Sequence, residues 1–525
     1  MRPIICMTIG LFMLLSSAAY AKTIKLTSQN IFNFEKADKY IVSSVIDLVG
    51  QNITLPDSSL LVFKRLGCIV NGSIEGNDIY IKSFWRRTRF GKGVLLKGNR
   101  WKAKLAYSEW FGVVANCILD HDGKYISGTD NYQPFQNLLK FNNVEIQNGV
   151  YYVDGNLQTL CSNQKIEGNG ATIKGRYRNR FAGILTIGSH YLNEPITENV
   201  TIQNLSLIGM RYEAEDKTQW AHGIVIKNAR DIKLKRITCS YCKGDGFNIA
   251  ETFTDGVISI PMEIELEDCK SIKNYRCGLS ITGGSDIRIR NSSFNYTIGQ
   301  DPQCGIDIEP NEYKVADGGF IIPECKQILI DNCVFEHNNR HSVKIEAPKV
   351  CDELNSFPIT TVTIQNSSFA NNGISIWRVD SLAILNCDIK SDVATNGIVF
   401  QNATQQNVLL ESINIYNNSQ GKPEANGIYI SPGHTRHNLN FNNITIKGNL
   451  SYGFFIPSHE KHKGTITNVS FNNISCSNGW NNFFVGSLVK DANYDNIKSF
   501  EVGTSENGHK YEGWSWGWSV HKHNE

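Results

Sequence analysis

Four charged residues fall where they could do chemistry: Asp307 and Glu309 in the phrase GIDIEP, and Lys344 and Glu346 in SVKIEA. Each pair is spaced i, i+2, which on an extended strand puts both side chains on one side. Set on neighbouring parallel strands about 4.8 Å apart, they form a compact square of one cation and three carboxylates. Asp307 opposite Lys344 is an ordinary ladder ion pair. Glu309 opposite Glu346 is not, because like charges directly across a ladder repel. Crowded carboxylates share a proton or hold a cation. Two chemistries use such a set. In glycoside hydrolysis one carboxylic acid protonates the leaving oxygen while another carboxylate activates water. An Asp307–Glu309 separation near the lower edge of about 6.5–9.5 Å points to inversion and needs no cofactor. In β-elimination, Asp307, Glu309 and Glu346 hold Ca²⁺ against a uronate carboxylate. Lys344, Arg340 or His341 then removes the C5 proton.

The elements that must position these residues repeat. One phrase, apolar-x-Asn-apolar-x-apolar, appears as TIQNLSL (Asn204), RIRNSSF (Asn291), LIDNCVF (Asn332) and TIQNSSF (Asn366). It returns as ILNCDI (Asn386), NFNNITI (Asn443) and SFNNISC (Asn473), with Asp268 in the same slot. From Asp268 to Asn386 the copies lie 20 to 41 residues apart, the period of a stacked repeat. A second phrase, Gly-apolar-x-apolar, alternates with it at Gly223, Gly246, Gly278, Gly305, Gly373, Gly397, Gly427 and Gly453; Ser342 replaces Gly in one copy. Alternating strands that cannot bury an apolar side alone must stack. This predicts an all-β, single-stranded right-handed parallel β-helix.

Aligning the Gly phrases predicts two outward columns. The first runs Val225, Asn248, Ser280, Asp307, Lys344, Ser375, Val399; the second runs Lys227, Ala250, Thr282, Glu309, Glu346, Trp377, Gln401. Polar groups gather in the middle coils. Trp377 is placed to stack on a sugar ring, and Arg378 to pair with a uronate. Asn248, Ser280, His341 and Arg340 complete a substrate surface. Asp245, just before a turn Gly, is a weaker candidate, and His222 and Arg276 weaker still. Insertions at 210–221, 296–303 and 310–326 are expected to wall a cleft beside the square.

The Asn phrases resemble the asparagine ladder of the pectin-lyase-like right-handed β-helix superfamily over roughly residues 145–480. The resemblance implies carbohydrate-active proteins, among them lyases, hydrolases and epimerases, and it implies ladder asparagines bonded to one another at a sharp corner. The paired aspartates and the Arg-Ile-Lys element of polygalacturonases are missing, as is any lyase calcium signature. A helix over about Tyr132–Lys140 resembles the cap of such solenoids. The organisation expected is a leader over 1–21, N-terminal coils and cap over 22–144, the β-helix over 145–480, and an aromatic-rich C-terminal cap over 481–525 with Trp514, Trp516 and Trp518.

Residues 1–21 carry Arg2, a short apolar run and Ala19-Tyr20-Ala21, the pattern of a secretory leader cut after Ala21. The chain is therefore expected to be secreted or periplasmic, without an integral membrane segment. A net charge of +2 argues against nucleic acid and against a polybasic membrane surface, leaving a polysaccharide as the expected partner. Fourteen cysteines suggest disulfides in such a compartment. Alignment reads most of them instead as core filler, since Cys269, Cys333 and Cys387 share a slot with Leu205 and Ile413. Cys239-x-x-Cys242 lacks the partners a zinc site needs. Cys277 and Cys304 fall in equivalent slots, where a disulfide would fit.

Overall fold

The computed structural model describes residues 22–98, 100–176, 183–213, 220–316, 318–391, 396–401, 403–417, 425–431, 434–448, 452–456, 464–478, 481–485, 489, 491–500 and 515–516. The expected leader, Trp514 and Trp518 lie outside them. The chain forms two compact units, 1–104 and 105–525. The division falls earlier than the expected boundary at 144 because Ala106 and Tyr107 already pair with Val144 and Glu145.

The smaller unit stacks Thr23–Leu26, Lys39–Val42, Leu60–Phe63, Tyr80–Ser83 and Lys102–Ala103 into one parallel sheet. Tyr40, Leu61, Phe63 and Ile81 are buried in its core. The larger unit carries a 21-stranded and a 12-stranded sheet. Coil stacks on coil in constant register: Ile224, Phe247, Leu279, Ile306, Val343 and Ile374 lie opposite one another in turn. Period-2 alternation sends these residues inward and their neighbours outward.

The Asn slot is a corner. Asn204, Asp268, Asn291, Asn332, Asn366, Asn386, Asn443 and Asn473 all have φ between 51° and 57°, the left-handed region that Asn and Asp enter most readily. Side-chain amides link the coils: Asn332 donates to Asn291 Oδ1 at 2.9 Å, and Asn473 to Asn443 Oδ1 at 2.7 Å. Five residues earlier in each coil lies a second left-handed corner, built from Asn199, Asp231, Glu263, Asp286, Gln327, Thr361, Ser381 and Asn407. Three residues after the Asn corner stand core stacks such as Phe294, Phe335 and Phe369, with ring centroids 5.7 and 4.9 Å apart. The cysteines sit in the same columns: Cys239 opposite Leu207 and Cys387 opposite Ile413, all buried.

The helix spans Tyr132–Leu138. It covers the first strand of the 12-stranded sheet, Leu157–Thr159. Gln136 donates from Nε2 to the Gln158 carbonyl at 2.8 Å and accepts the Gln158 amide at 3.1 Å, so one side chain satisfies an edge that would otherwise recruit another strand.

Asn366 carries φ 52° and donates to Asp331 Oδ1 at 2.8 Å. Asn366→Ala is expected to lower the thermal midpoint, at a cost of about 1–3 kcal/mol, from left-handed strain and a lost hydrogen bond. Asn366→Gly, which removes only the second, should recover part of that loss in the same scan.

Candidate active site

Six successive coils present the site: β1 (His222–Lys227), β2 (Phe247–Ile249), β3 (Cys277–Ile281), β4 (Cys304–Ile308), β5 (His341–Ile345) and β6 (Ile374–Ile376). Asn248, Ser280, Asp307, Lys344 and Ser375 stand in register on consecutive strands, as the aligned phrases predict. Glu309, Glu346 and Trp377 follow β4, β5 and β6 directly.

Lys344 is the hub of the square. Its Nζ hydrogen-bonds Glu346 and lies 3.4 Å from Glu309 Oε2 and 3.9 Å from Asp307 Oδ1. Burial alone would depress this amine, but the carboxylates of Asp307, Glu309 and Glu346 outweigh it and hold its pKa above the ordinary lysine value. Two expectations change. Lys344 is a charged partner and no base. Glu309 and Glu346 are not a bare like-charge pair, because the Lys344 ammonium bridges them. Sharing one ammonium, those two carboxylates bring their nearer oxygens closer together than the ~6.5–9.5 Å that inversion needs. The Ca²⁺ reading does not fit either: an ion among Asp307, Glu309 and Glu346 would have to share their oxygens with an ammonium already there.

Asp307 is fully buried. Desolvation pushes its carboxyl well above the usual range, reinforced by Glu309 and opposed by Lys344 and Arg276. The upward direction prevails because both cations are nearer to other carboxylates. Arg276 lies 3.8 Å from Asp307 but holds both oxygens of Asp245 at 3.2 Å. Among the described residues Asp307 Oδ1 has no hydrogen-bond donor, a heavy cost for an anion and a small one for an acid.

A third column lies beside the first two: His222, Asp245, Cys277, Cys304 and His341. His222 Nδ1 sits 3.2 Å from Asp245 Oδ2 and 3.1 Å from the Asp245 amide. Arg276 bridges the coils, donating to Asp245 and, at 2.9 Å, to Ser280 Oγ. Burial would raise the Asp245 carboxyl, but Arg276 and His222 together bring it below the usual range. Strict alternation hides this column: two residues before Asn248, Ser280, Asp307 and Lys344 stand Gly246, Gly278, Gly305 and Ser342, so Asp245, Cys277, Cys304 and His341 count as core-facing.

His341 is pushed down to about 4 by burial and by the charges of Lys344 and Arg340, and is neutral at neutral pH. Arg340 is exposed and paired with Asp301 at 2.8 Å. Trp377 is half-buried at the edge of the square. Arg378 departs from expectation: it is buried, donates to the carbonyls of Cys351 (3.2 Å) and Ser356 (3.3 Å), pairs with Asp352 and lies over Phe357. It braces a loop and offers nothing to a uronate. Asn248 and Ser280 are buried as well, Ser280 beneath Arg276. Cys277 and Cys304, opposite each other, remain thiols.

Of the insertions, 310–326 forms a hairpin, Tyr313–Lys314 with Phe320–Ile321. It is anchored at buried Glu251, which accepts from Tyr313, from Asn311 at 2.7 Å and from Thr282 at 2.7 Å. Tyr313 stacks on Phe253 from a second hairpin. Glu251 and Tyr313 were not anticipated, because nothing in the repeat aligns them. The insertion at 210–221 ties back through Arg211 to the carbonyls of Lys273 and Ile298.

The two buried aspartates should respond oppositely to neutralisation. Asp245, lowered in the fold, contributes stability present above about pH 4 and lost in acid. Asp245→Asn should therefore cost about 3 kcal/mol at pH 7, read as a lower thermal midpoint. Asp307, raised in the fold, binds a proton that the unfolded chain releases near pH 4, so its contribution falls as pH rises above that value. Asp307→Asn should raise the midpoint at pH 8 and leave it unchanged at pH 4.

Comparison with known proteins agrees with the fold. Residues 303–471 match the family model described as a right-handed beta helix region. The SPbeta prophage-derived uncharacterized protein YorA of Bacillus subtilis (strain 168) is 24% identical over 217 residues, 36% of each chain, so the match spans about a third of that relative. Among solved structures, the A-module of the mannuronan C-5 epimerase AlgE6 of Azotobacter vinelandii aligns at 14% identity with a TM-score of 0.49, covering 75% of this chain and 99% of that one. The surface adhesin PfbA of Streptococcus pneumoniae aligns at 13% and 0.47, covering 74% and 100%. With its parallel ladder and its recurring left-handed corners, the chain is a right-handed parallel β-helix protein.

Proposed function

We propose that this protein is a carbohydrate-active enzyme that hydrolyses an extended, uronate-containing polysaccharide with a pair of carboxyl groups. The observation that carries the reading is Asp307, a fully buried carboxyl pushed well above the usual range by burial and by the neighbouring, surface-reaching Glu309. A carboxyl kept protonated by burial, next to one that meets solvent, is the arrangement an acid catalyst requires.

In this mechanism Glu309, supplied by Asp307, protonates the glycosidic oxygen as the bond to the anomeric carbon breaks. Glu346, on the next coil, attacks that carbon and forms a glycosyl ester. Water then displaces Glu346, and Glu309 takes the proton of that water as base. Lys344 orients both glutamates. Trp377 stacks on a neighbouring sugar. Export, expected from residues 1–21, brings the enzyme to its substrate.

A second reading is β-elimination, and His341 favours it. A neutral imidazole beside Lys344 is a competent base for a C5 proton, a role the charged Lys344 cannot fill. A non-catalytic glycan-binding β-helix gains from the Lys344-bridged Glu309/Glu346 pair but leaves the raised carboxyl of Asp307 without a use.

Incubation with a panel of pectic and other acidic polysaccharides decides among these. Hydrolysis releases reducing ends with retained anomeric configuration and no absorbance near 235 nm; elimination produces that absorbance. Asp307→Asn and Glu309→Gln should each lower kcat by about 10²–10⁴. Activity surviving both substitutions would sink the assignment. In the wild type, kcat should fall as pH rises through the elevated Asp307 titration, and Asp307→Asn should abolish that limb of the profile.

A further inference from the structure

The smaller unit carries side chains that its own fold leaves outside. Two turns are involved: Lys64–Gly67, after the strand Leu60–Phe63, and Phe84–Arg87, after Tyr80–Ser83. Those strands are register neighbours, Phe63 opposite Ser83, so the turns stack on successive coils. Leu66, Phe84 and Trp85 are 66, 76 and 49% exposed. Exposed Lys64, Arg65, Lys82, Arg86 and Arg87 surround them. Arg65 lies 5.8 Å from the Trp85 ring centre and Lys82 5.3 Å from that of Phe84.

Single exposed apolar residues need no explanation, but a group on a built support does. The support is Arg89, fully buried. It donates to the carbonyls of Lys64 (3.0 Å) and Gly67 (2.8 Å), to Ser83 Oγ (2.9 Å) and to the Trp85 carbonyl (3.4 Å). One guanidinium thus ties both turns together. Gly67 packs so closely that a Cβ would sit 2.1 Å from the Val42 carbonyl oxygen. Charge adds a second argument. From Ile79 to Lys104 the chain has nine lysines and arginines and neither Asp nor Glu, although its overall charge is +2. Near-neutrality of the whole conceals this segregation, so the exclusion of a polybasic surface drawn from net charge does not hold for this unit.

We propose that this patch docks the protein on an anionic lipid surface. Leu66, Phe84 and Trp85 enter the headgroup region, and the surrounding cations meet lipid phosphates. An acidic glycan would engage the cations and the face of Trp85, but it offers Leu66 and Phe84 no apolar phase to enter. Independence from the carboxylate site is complete: the patch needs nothing from Asp307 or Glu309.

The test uses the chain from Lys22 onward, so that the apolar N-terminal run cannot insert by itself. Co-sedimentation with vesicles of phosphatidylcholine is compared with vesicles containing about one-third phosphatidylglycerol. At low salt, at least about tenfold more protein should sediment with the anionic vesicles, and added salt should release it by screening. The double substitutions Phe84→Ser with Trp85→Ser, and Arg86→Gln with Arg87→Gln, should each cut binding about tenfold while leaving the thermal midpoint unchanged. Equal sedimentation with both vesicle types, or with neither, overturns the proposal. So does binding to a soluble acidic polysaccharide that these substitutions abolish while vesicles remain unbound.

Discussion

A parallel β-helix depends on register. Every backbone N–H and C=O of one coil must meet its partner on the next, because an orphaned buried group costs as much as a lost hydrogen bond. Since side chains alternate with period two, a one-residue slip would turn a whole strand inside out. The chain avoids this by leaving the helix only at corners. From Asn204 to Asn473 the Asn slot stays left-handed, and so does the position five residues before it. Segments as long as 310–326 leave at the ends of strands, and the columns on either side stay aligned.

The same constraint makes the chemistry. Residues far apart in the chain, such as Asp307 and Lys344, are held on adjacent rungs whether or not their charges favour it. Charges in a shared column must then be balanced locally. Lys344 balances Glu309 and Glu346, and Arg276 balances Asp245. Asp307 is left between two cations already committed elsewhere, and burial pushes its carboxyl well above the usual range. Burial that is unfavourable for a carboxylate is tolerated because the surrounding coils are held by backbone pairing that does not depend on this residue. Strain of this kind persists only where the scaffold over-determines it.

The two units carry different surfaces. The larger one carries an acidic excess and pairs charges within its columns. The smaller one concentrates positive charge and exposed apolar side chains on two stacked turns. Averaged over the chain the two cancel, so the net charge describes neither.

Much of this was legible in the residues alone. The Asn phrase announces a left-handed corner because Asn tolerates that backbone, and Gly-apolar-x-apolar announces a strand with one outward position. Together they determine which side each residue faces and which residues share a column, and thus Asp307, Lys344, Glu309 and Glu346 as a group. The second corner escaped because Asp231, Gln327, Thr361 and Ser381 share no residue type, only a backbone angle. Tertiary structure decided what a column cannot express: where a long side chain ends. Arg276 reaches across coils to Asp245 and Ser280, Arg378 turns back under a loop, and Glu251 is claimed by a hairpin some sixty residues later. Facing follows from local periodicity, which sequence carries. Burial and charge pairing follow from side-chain reach and loop path, which exist only once the coils are stacked.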